Sequence, residues 1–154
     1  MKAISLKVNG DTYEVMARPN MTLLELLREG LGFTGTKKAC NEGECGACTV
    51  ILEGKTVNSC LVLALEADGK EVVTIEGLAN GDELHPLQKA FVDSGAVQCG
   101  FCTPGMILSA KALLDTKHDP TDMDIKEAIA GHICRCTGYN RIVVAINMAK
   151  DQWK

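Results

Sequence analysis

Aromatic residues are scarce in this chain, with one Trp, two Tyr and three Phe among 154 residues. So thin a supply excludes a single large aromatic core and suits one domain or two small ones, each needing a staple besides its apolar contacts. Long apolar runs are missing too. Leu61 to Leu65 is far too short to span a bilayer, and Met1 to Glu14 holds no run of signal-peptide length, so no membrane segment is expected and the predicted location is cytoplasmic. No block of Lys or Arg stands out and the net charge is -4, which leaves a polyanion nothing to hold and excludes nucleic acid as a partner. A Ser/His/Asp set, a phosphate loop and a dinucleotide fingerprint are also absent, so the chain carries no bond-making chemistry of its own. His85, His118 and His132 are scattered without a partner pattern and are expected at helix ends or on the surface.

What the chain does have is cysteine, eight in all. In a reducing compartment that number points to metal before disulfides. Cys40, Cys45 and Cys48 lie within nine residues, and Cys60 follows at a distance. This C-x4-C-x2-C…C spacing is that of a plant-type 2Fe-2S site. Gly43 and Gly46 have a physical use there, because a tight loop turning its amides toward cluster sulfur asks for backbone angles that side chains resist. A zinc knuckle fits less well, since such sites pair two short cysteine hairpins.

Cys99, Cys102, Cys134 and Cys136 form a second set of four in two close pairs. Their spacing alone leaves zinc and iron-sulfur open. Each pair precedes a predicted helix, after Thr103-Pro104 and after Thr137-Gly138, and helix N-termini favour an anionic cluster; with an iron-sulfur site already present, the reading is a second 2Fe-2S cluster. Arg135, between two of these cysteines, either offsets cluster charge or is a solvated loop residue.

Periodicity supplies the scaffold. Ile4, Leu6 and Val8 alternate, Asn9-Gly10 makes a two-residue turn, and Tyr13 and Val15 resume the alternation, giving a β-hairpin. Thr22-x-x-Glu25 opens a short helix through Leu23, Leu24, Leu26 and Leu27. Thr49 to Leu52 and Val72 to Ile75 are predicted strands. Gly77 to Glu83, rich in turn formers, reads as a linker and places the domain boundary, giving domains 1–77 and 78–154. Beyond it come helices over about Pro86 to Ser94, after Thr103, from Thr121-x-x-Asp124 to Gly131, and after Thr137 with Ile142, Ile146, Ala149 and Trp153 on one face. The expected fold class is α+β, a small α+β unit followed by a compact four-helix bundle.

Three segments carry a resemblance: Gly43-Glu44-Cys45-Gly46-Ala47-Cys48-Thr49-Val50, Gln98-Cys99-Gly100-Phe101-Cys102-Thr103-Pro104-Gly105, and Cys134-Arg135-Cys136-Thr137-Gly138-Tyr139. With them the chain resembles, over nearly its whole length, the small iron-sulfur subunit of the molybdenum hydroxylases, the xanthine dehydrogenase and aldehyde oxidoreductase family. The resemblance implies a ferredoxin-like β-grasp domain and a four-helix-bundle domain, each with a 2Fe-2S cluster. It implies an electron path from a molybdopterin centre in a large subunit, through the bundle cluster and the ferredoxin-like cluster, to FAD in a medium subunit. Gln98 and Cys136 match the positions that lie against the pterin. Since the chain ends at Lys154, the molybdopterin and FAD domains are expected on separate polypeptides of a hetero-oligomer. Ala39 stands where members of that family often have glycine, so no positive φ is expected there, and His132 stands where asparagine is common. A free two-cluster ferredoxin-type carrier and a zinc-bound structural or adaptor protein are the rival functions; a simple carrier has no need of the second domain.

Overall fold

A computed structural model describes residues 1–153, so the expected domain end at Lys154 falls outside the described residues. The hairpin forms as the alternation requires: β1 (Lys2–Val8) and β2 (Asp11–Ala17) pair antiparallel with Val8 opposite Asp11. Asn9 and Gly10 both take positive φ in the turn between them. β3 (Thr49–Leu52), β4 (Lys55–Asn58) and β5 (Glu71–Val73) complete a five-stranded mixed sheet in the order β2-β1-β5-β3-β4, with β1 and β5 parallel.

The predicted capping box is present. Glu25 donates its amide to the Thr22 hydroxyl and its carboxylate accepts the Thr22 amide, opening α1 (Leu23–Glu25). A wider turn over Leu26–Gly30 follows, closed by the Leu31 amide on the Leu26 carbonyl at 2.9 Å. Leu23, Leu26 and Leu27 fall on the sheet core of Ile4, Leu6, Val8, Val50 and Val72, each burial contributing about 1.5–3 kcal/mol. Leu24 points elsewhere, into a small cluster with Cys48 and Cys60.

β5 ends at Val73, two residues before the predicted strand does. Asn9 is the reason: its side chain accepts the Thr74 amide at 2.8 Å and donates to the Thr74 hydroxyl at 2.9 Å, which takes Thr74 off the ladder. Residues 77–83 are also more ordered than a plain linker, because Asn80 and Glu83 exchange two backbone hydrogen bonds and Leu78 packs on the helical core.

The second half is helical: α2 (Pro86–Asp93), α3 (Thr103–Thr116), α4 (Asp122–Ile129) and α5 (Asn140–Lys150). They share a core that includes Leu87, Phe91, Met106, Leu114, Ile125, Ile142 and Ile146, with Trp153 against its edge. α3 also packs on β3 and β4, so one helix belongs to both halves of the molecule. Two helix starts differ from expectation. α3 begins at Thr103 itself, with Cys102 in the capping position, since the Gly100 carbonyl already receives the Thr103 amide. α5 begins at Asn140, three residues past Thr137, whose hydroxyl is held by Cys134 and by the Tyr139 amide.

Candidate metal centres

The eight cysteines gather in two places. Cys40, Cys45 and Cys48 are on irregular backbone leading into β3, and Cys60 is in a single 3-10 turn, Ser59–Leu61, just after β4. The loop from Cys40 to Cys48 crosses the left-handed region at Asn41, Gly43 and Gly46, with φ of 59, 84 and 71°. Ala39 has no such angle, as expected. These reversals aim amides inward. The Glu42 amide, then the amide and thiol of Cys45, hold the Cys40 thiol down to about 7. Burial raises the Cys60 thiol to about 11, helped by its neighbour Cys48 and opposed by the Gly43 amide. The thiols stand as pairs, Cys40 with Cys45 and Cys48 with Cys60. Ser59 and Asn58 tie the rim, donating to the Cys48 and Gly43 carbonyls at 2.7 and 3.4 Å.

In the second set, Cys102 and Cys134 are half-buried while Cys99 and Cys136 are exposed. Burial pushes the Cys102 thiol up to about 12, and Cys134 beside it adds to the effect. Burial also pushes on Cys134, but the Thr137 hydroxyl at 3.2 Å, the Thr137 amide at 3.5 Å and the Cys136 amide outweigh it and bring that thiol to about 7. Tyr139, at φ 71°, accepts the Cys134 amide on its hydroxyl at 2.9 Å. Gln98 is exposed and donates to the Cys136 carbonyl at 3.1 Å, joining the two cysteine pairs. Arg135 is exposed, between Cys134 and Cys136. Because α5 starts so late, Cys134 and Cys136 lie against the Thr137 turn and not at a helix N-terminus.

Thiol pairs lined by inward amides fit a 2Fe-2S cluster, in which four thiolates serve two irons. Among the described residues no three His, Cys, Asp or Glu side chains are drawn closely enough together to hold a single metal ion.

The description "2Fe-2S iron-sulfur cluster binding domain" matches residues 6–79, and "[2Fe-2S] binding domain" matches residues 74–147. The nicotinate dehydrogenase small FeS subunit of Eubacterium barkeri is 50% identical over 149 residues, covering 97% of this chain and 95% of that one. The chain belongs to the family of small iron-sulfur subunits of the molybdenum hydroxylases. Within this family it is 47% identical to the xanthine dehydrogenase iron-sulfur-binding subunit of Escherichia coli O157:H7, over 91% of this chain and 89% of that one. The crystal structure of quinoline 2-oxidoreductase from Pseudomonas putida 86 contains a chain that superposes with a TM-score of 0.94 at 40% identity, covering 97% of this chain and 94% of that one. As a small iron-sulfur subunit the protein is an electron-transfer component of an oxidoreductase, with two 2Fe-2S clusters as its cofactors. The choice that spacing left open for the helical half therefore falls to iron-sulfur over zinc.

The histidines divide. His85 is a helix-end residue as expected, accepting the Leu87 amide on Nδ1 at 3.3 Å and meeting Trp153 edge-on at 5.2 Å. His118 is exposed. His132 follows the C-terminal end of α4, its amide on the Ile129 carbonyl, but it is buried where a helix-end residue was expected to be open: it is 6% exposed, with Nε2 2.6 Å from the Ser109 hydroxyl. Burial holds its pKa below the ordinary imidazole value. Sequence reasoning missed this placement, and it missed Tyr139 as a loop tie. The signal for Tyr139 was its place in the tight turn just after a cysteine pair, within reach of Cys134; the partners of His132, Ser109 and the Gly46 loop, are distant in sequence and left no local signal. No helix among the described residues is long and apolar enough to cross a membrane.

Proposed function

We propose that this small subunit holds its first cluster with Cys40, Cys45, Cys48 and Cys60 and its second with Cys99, Cys102, Cys134 and Cys136. The two sites define a β-grasp ferredoxin-like domain, residues 1–77, and a four-helix-bundle domain, residues 78–154. The mixed sheet order and the shared core of α2 to α5 support that division. Each cluster, when bound, takes up and releases one electron. The chain's own residues orient the thiolates, supply amides to sulfur and keep one side of each site dry. The second site is presented outward at Cys99, Cys136 and Gln98, where a large molybdopterin-binding subunit docks. The first site lies at the other half of the molecule, toward an FAD-binding medium subunit, in a cytoplasmic hetero-oligomer.

The observation that carries this reading is Gln98. Its Nε2 is committed to the Cys136 carbonyl, while among the described residues its Oε1 has no protein partner. That leaves an acceptor, beside two exposed ligands, for an N–H on a pterin edge. Gln98→Ala in the assembled complex should slow reduction of the second cluster by substrate about three- to tenfold, the worth of a hydrogen bond of about 0.5–1.5 kcal/mol. Electron delivery from the first cluster to the flavin should be unchanged. Rapid-mixing spectroscopy after substrate addition separates these steps; unaltered reduction of the second cluster, or a defect confined to the flavin step, would overturn the assignment.

A further inference from the structure

The loops that carry the two cysteine sets meet at one junction, and His132 is the side chain wedged into it. α4 ends at Ile129, the His132 amide returns to the Ile129 carbonyl at 3.0 Å, and the ring turns inward. Nε2 is bound to Ser109 on α3, and Nδ1 faces Gly46 on the first cysteine loop. Glycine is required on both sides of the ring. A Cβ on Gly46 would stand 2.6 Å from Nδ1, and one on Gly105 would stand 3.2 Å from Nδ1 and 2.7 Å from the Gly46 carbonyl oxygen. That carbonyl is already fixed by the Thr49 hydroxyl at 2.7 Å and the Thr49 amide at 3.1 Å.

One residue after His132, the Ile133 amide donates to the Cys45 carbonyl at 3.0 Å. A single backbone hydrogen bond thus links a residue of the first set to the neighbour of Cys134 in the second. Two clefts flank the junction, one of about 320 Å³ bordered by Glu44, Asn58 and Ser109, the other of about 300 Å³ bordered by Lys126, Tyr139 and Asn140. His132 forms part of both walls.

We propose that His132 is a positioning residue: bridging Ser109 and the Gly46 loop, its ring holds the Cys45 carbonyl on the Ile133 amide, fixes the two cysteine sets relative to each other, and keeps water out of the space between them. The inference rests on the reading that the two sets each hold a cluster. A failure of that reading would show in the parent protein, as a missing iron pair, before any variant is compared.

The test uses the full chain carrying both clusters. His132→Ala should speed amide exchange at Ile133 about five- to tenfold, the loss expected when one hydrogen bond is set free. It should also change the magnetic interaction between the two reduced clusters while iron content stays the same. His132→Asn, which keeps a donor and an acceptor on a shorter side chain, should recover part of both changes. Ser109→Ala removes one anchor of the ring and should shift both readouts the same way by less. Unchanged exchange at Ile133 with unchanged cluster interaction would overturn the proposal. So would a rise in exchange equally large in α2 and α5, which marks general loosening. If His132→Ala does not accumulate, Ser109→Ala decides: parental exchange at Ile133 in that variant overturns the proposal.

Discussion

Gly46→Ala should lower the temperature at which the protein loses its iron-sulfur absorbance by about 10 °C, as a loss of about 3–4 kcal/mol would in a chain of this size. Two costs add. Gly46 sits at φ 71°, where an L side chain costs about 1–2 kcal/mol. The new methyl would also stand 2.5 Å from the Gly131 carbonyl oxygen and 2.6 Å from His132 Nδ1, an overpacking worth about 1–3 kcal/mol more. Neither neighbour is free to retreat: one is backbone, and the other is held by Ser109. Gly54→Ala is the control, since it has a similar φ of 79° but nothing within 4 Å of the new atom. It should cost about 1–2 kcal/mol, the backbone term alone. Thermal bleaching of the two variants side by side checks the argument, and equal losses would show that the contact at the junction contributes nothing.

That junction marks the limit of what the sequence conveys. Local rules place most of the scaffold: the Asn9-Gly10 turn, the Thr22 and Thr121 capping boxes, and the apolar face of Ile142, Ile146 and Ala149 all form where spacing puts them. These depend on neighbours a few residues apart, which a periodic pattern records. The gathering of the cysteines at two places is foreshadowed for the same reason, by their close spacing. What fails is whatever a distant residue decides. β5 stops at Val73 because Asn9, 65 positions from Thr74, takes over its hydrogen bonds. Thr137 does not cap α5 because Cys134 and Tyr139 claim its hydroxyl. His132 looks like any loop histidine until α3 and the Gly46 loop are brought to it, and no spacing in the chain announces that meeting.

The long-range contacts also bear on how the two sites serve one purpose. α3 packs on β3 and β4 as well as on the helical core, and Ile75 and Leu78, just past β5, pack against that core. Two small units with few aromatics thus lend each other surface, and the arrangement holds the cysteine loops at a set separation. Rigidity of this kind is what stepwise electron transfer asks of a scaffold, because it avoids reorganising the protein at each step.

Removing one cysteine from each set gives the largest effect expected of any change. The parent protein should contain four irons and four acid-labile sulfides, two of each per cluster. Cys60→Ala should leave two of each. Cys60 is 5% exposed and packs with Leu24 and Cys48, so its loss takes one thiolate from a buried pair and leaves no solvent ligand well placed to replace it. Alanine is preferred to serine, whose oxygen can itself bind iron. Cys102→Ala should remove the other two irons, since Cys102 is the partner of Cys134 and sits in the capping position of α3, half-buried against the helical core. Cluster binding is part of folding free energy, so each variant should also lose stability in its own half first: amide exchange should rise in β3 and β4 for Cys60→Ala and in α3 and α5 for Cys102→Ala. The paramagnetic signals of the reduced variants should be complementary, each retaining the one that the other lacks. Either variant keeping four irons would remove that cysteine from the ligand set, and stoichiometric zinc in the parent would sink both sets. Loss of all four irons from either variant would show that the sites do not load independently, and the division at residue 77 into two cluster-bearing domains would fall with it.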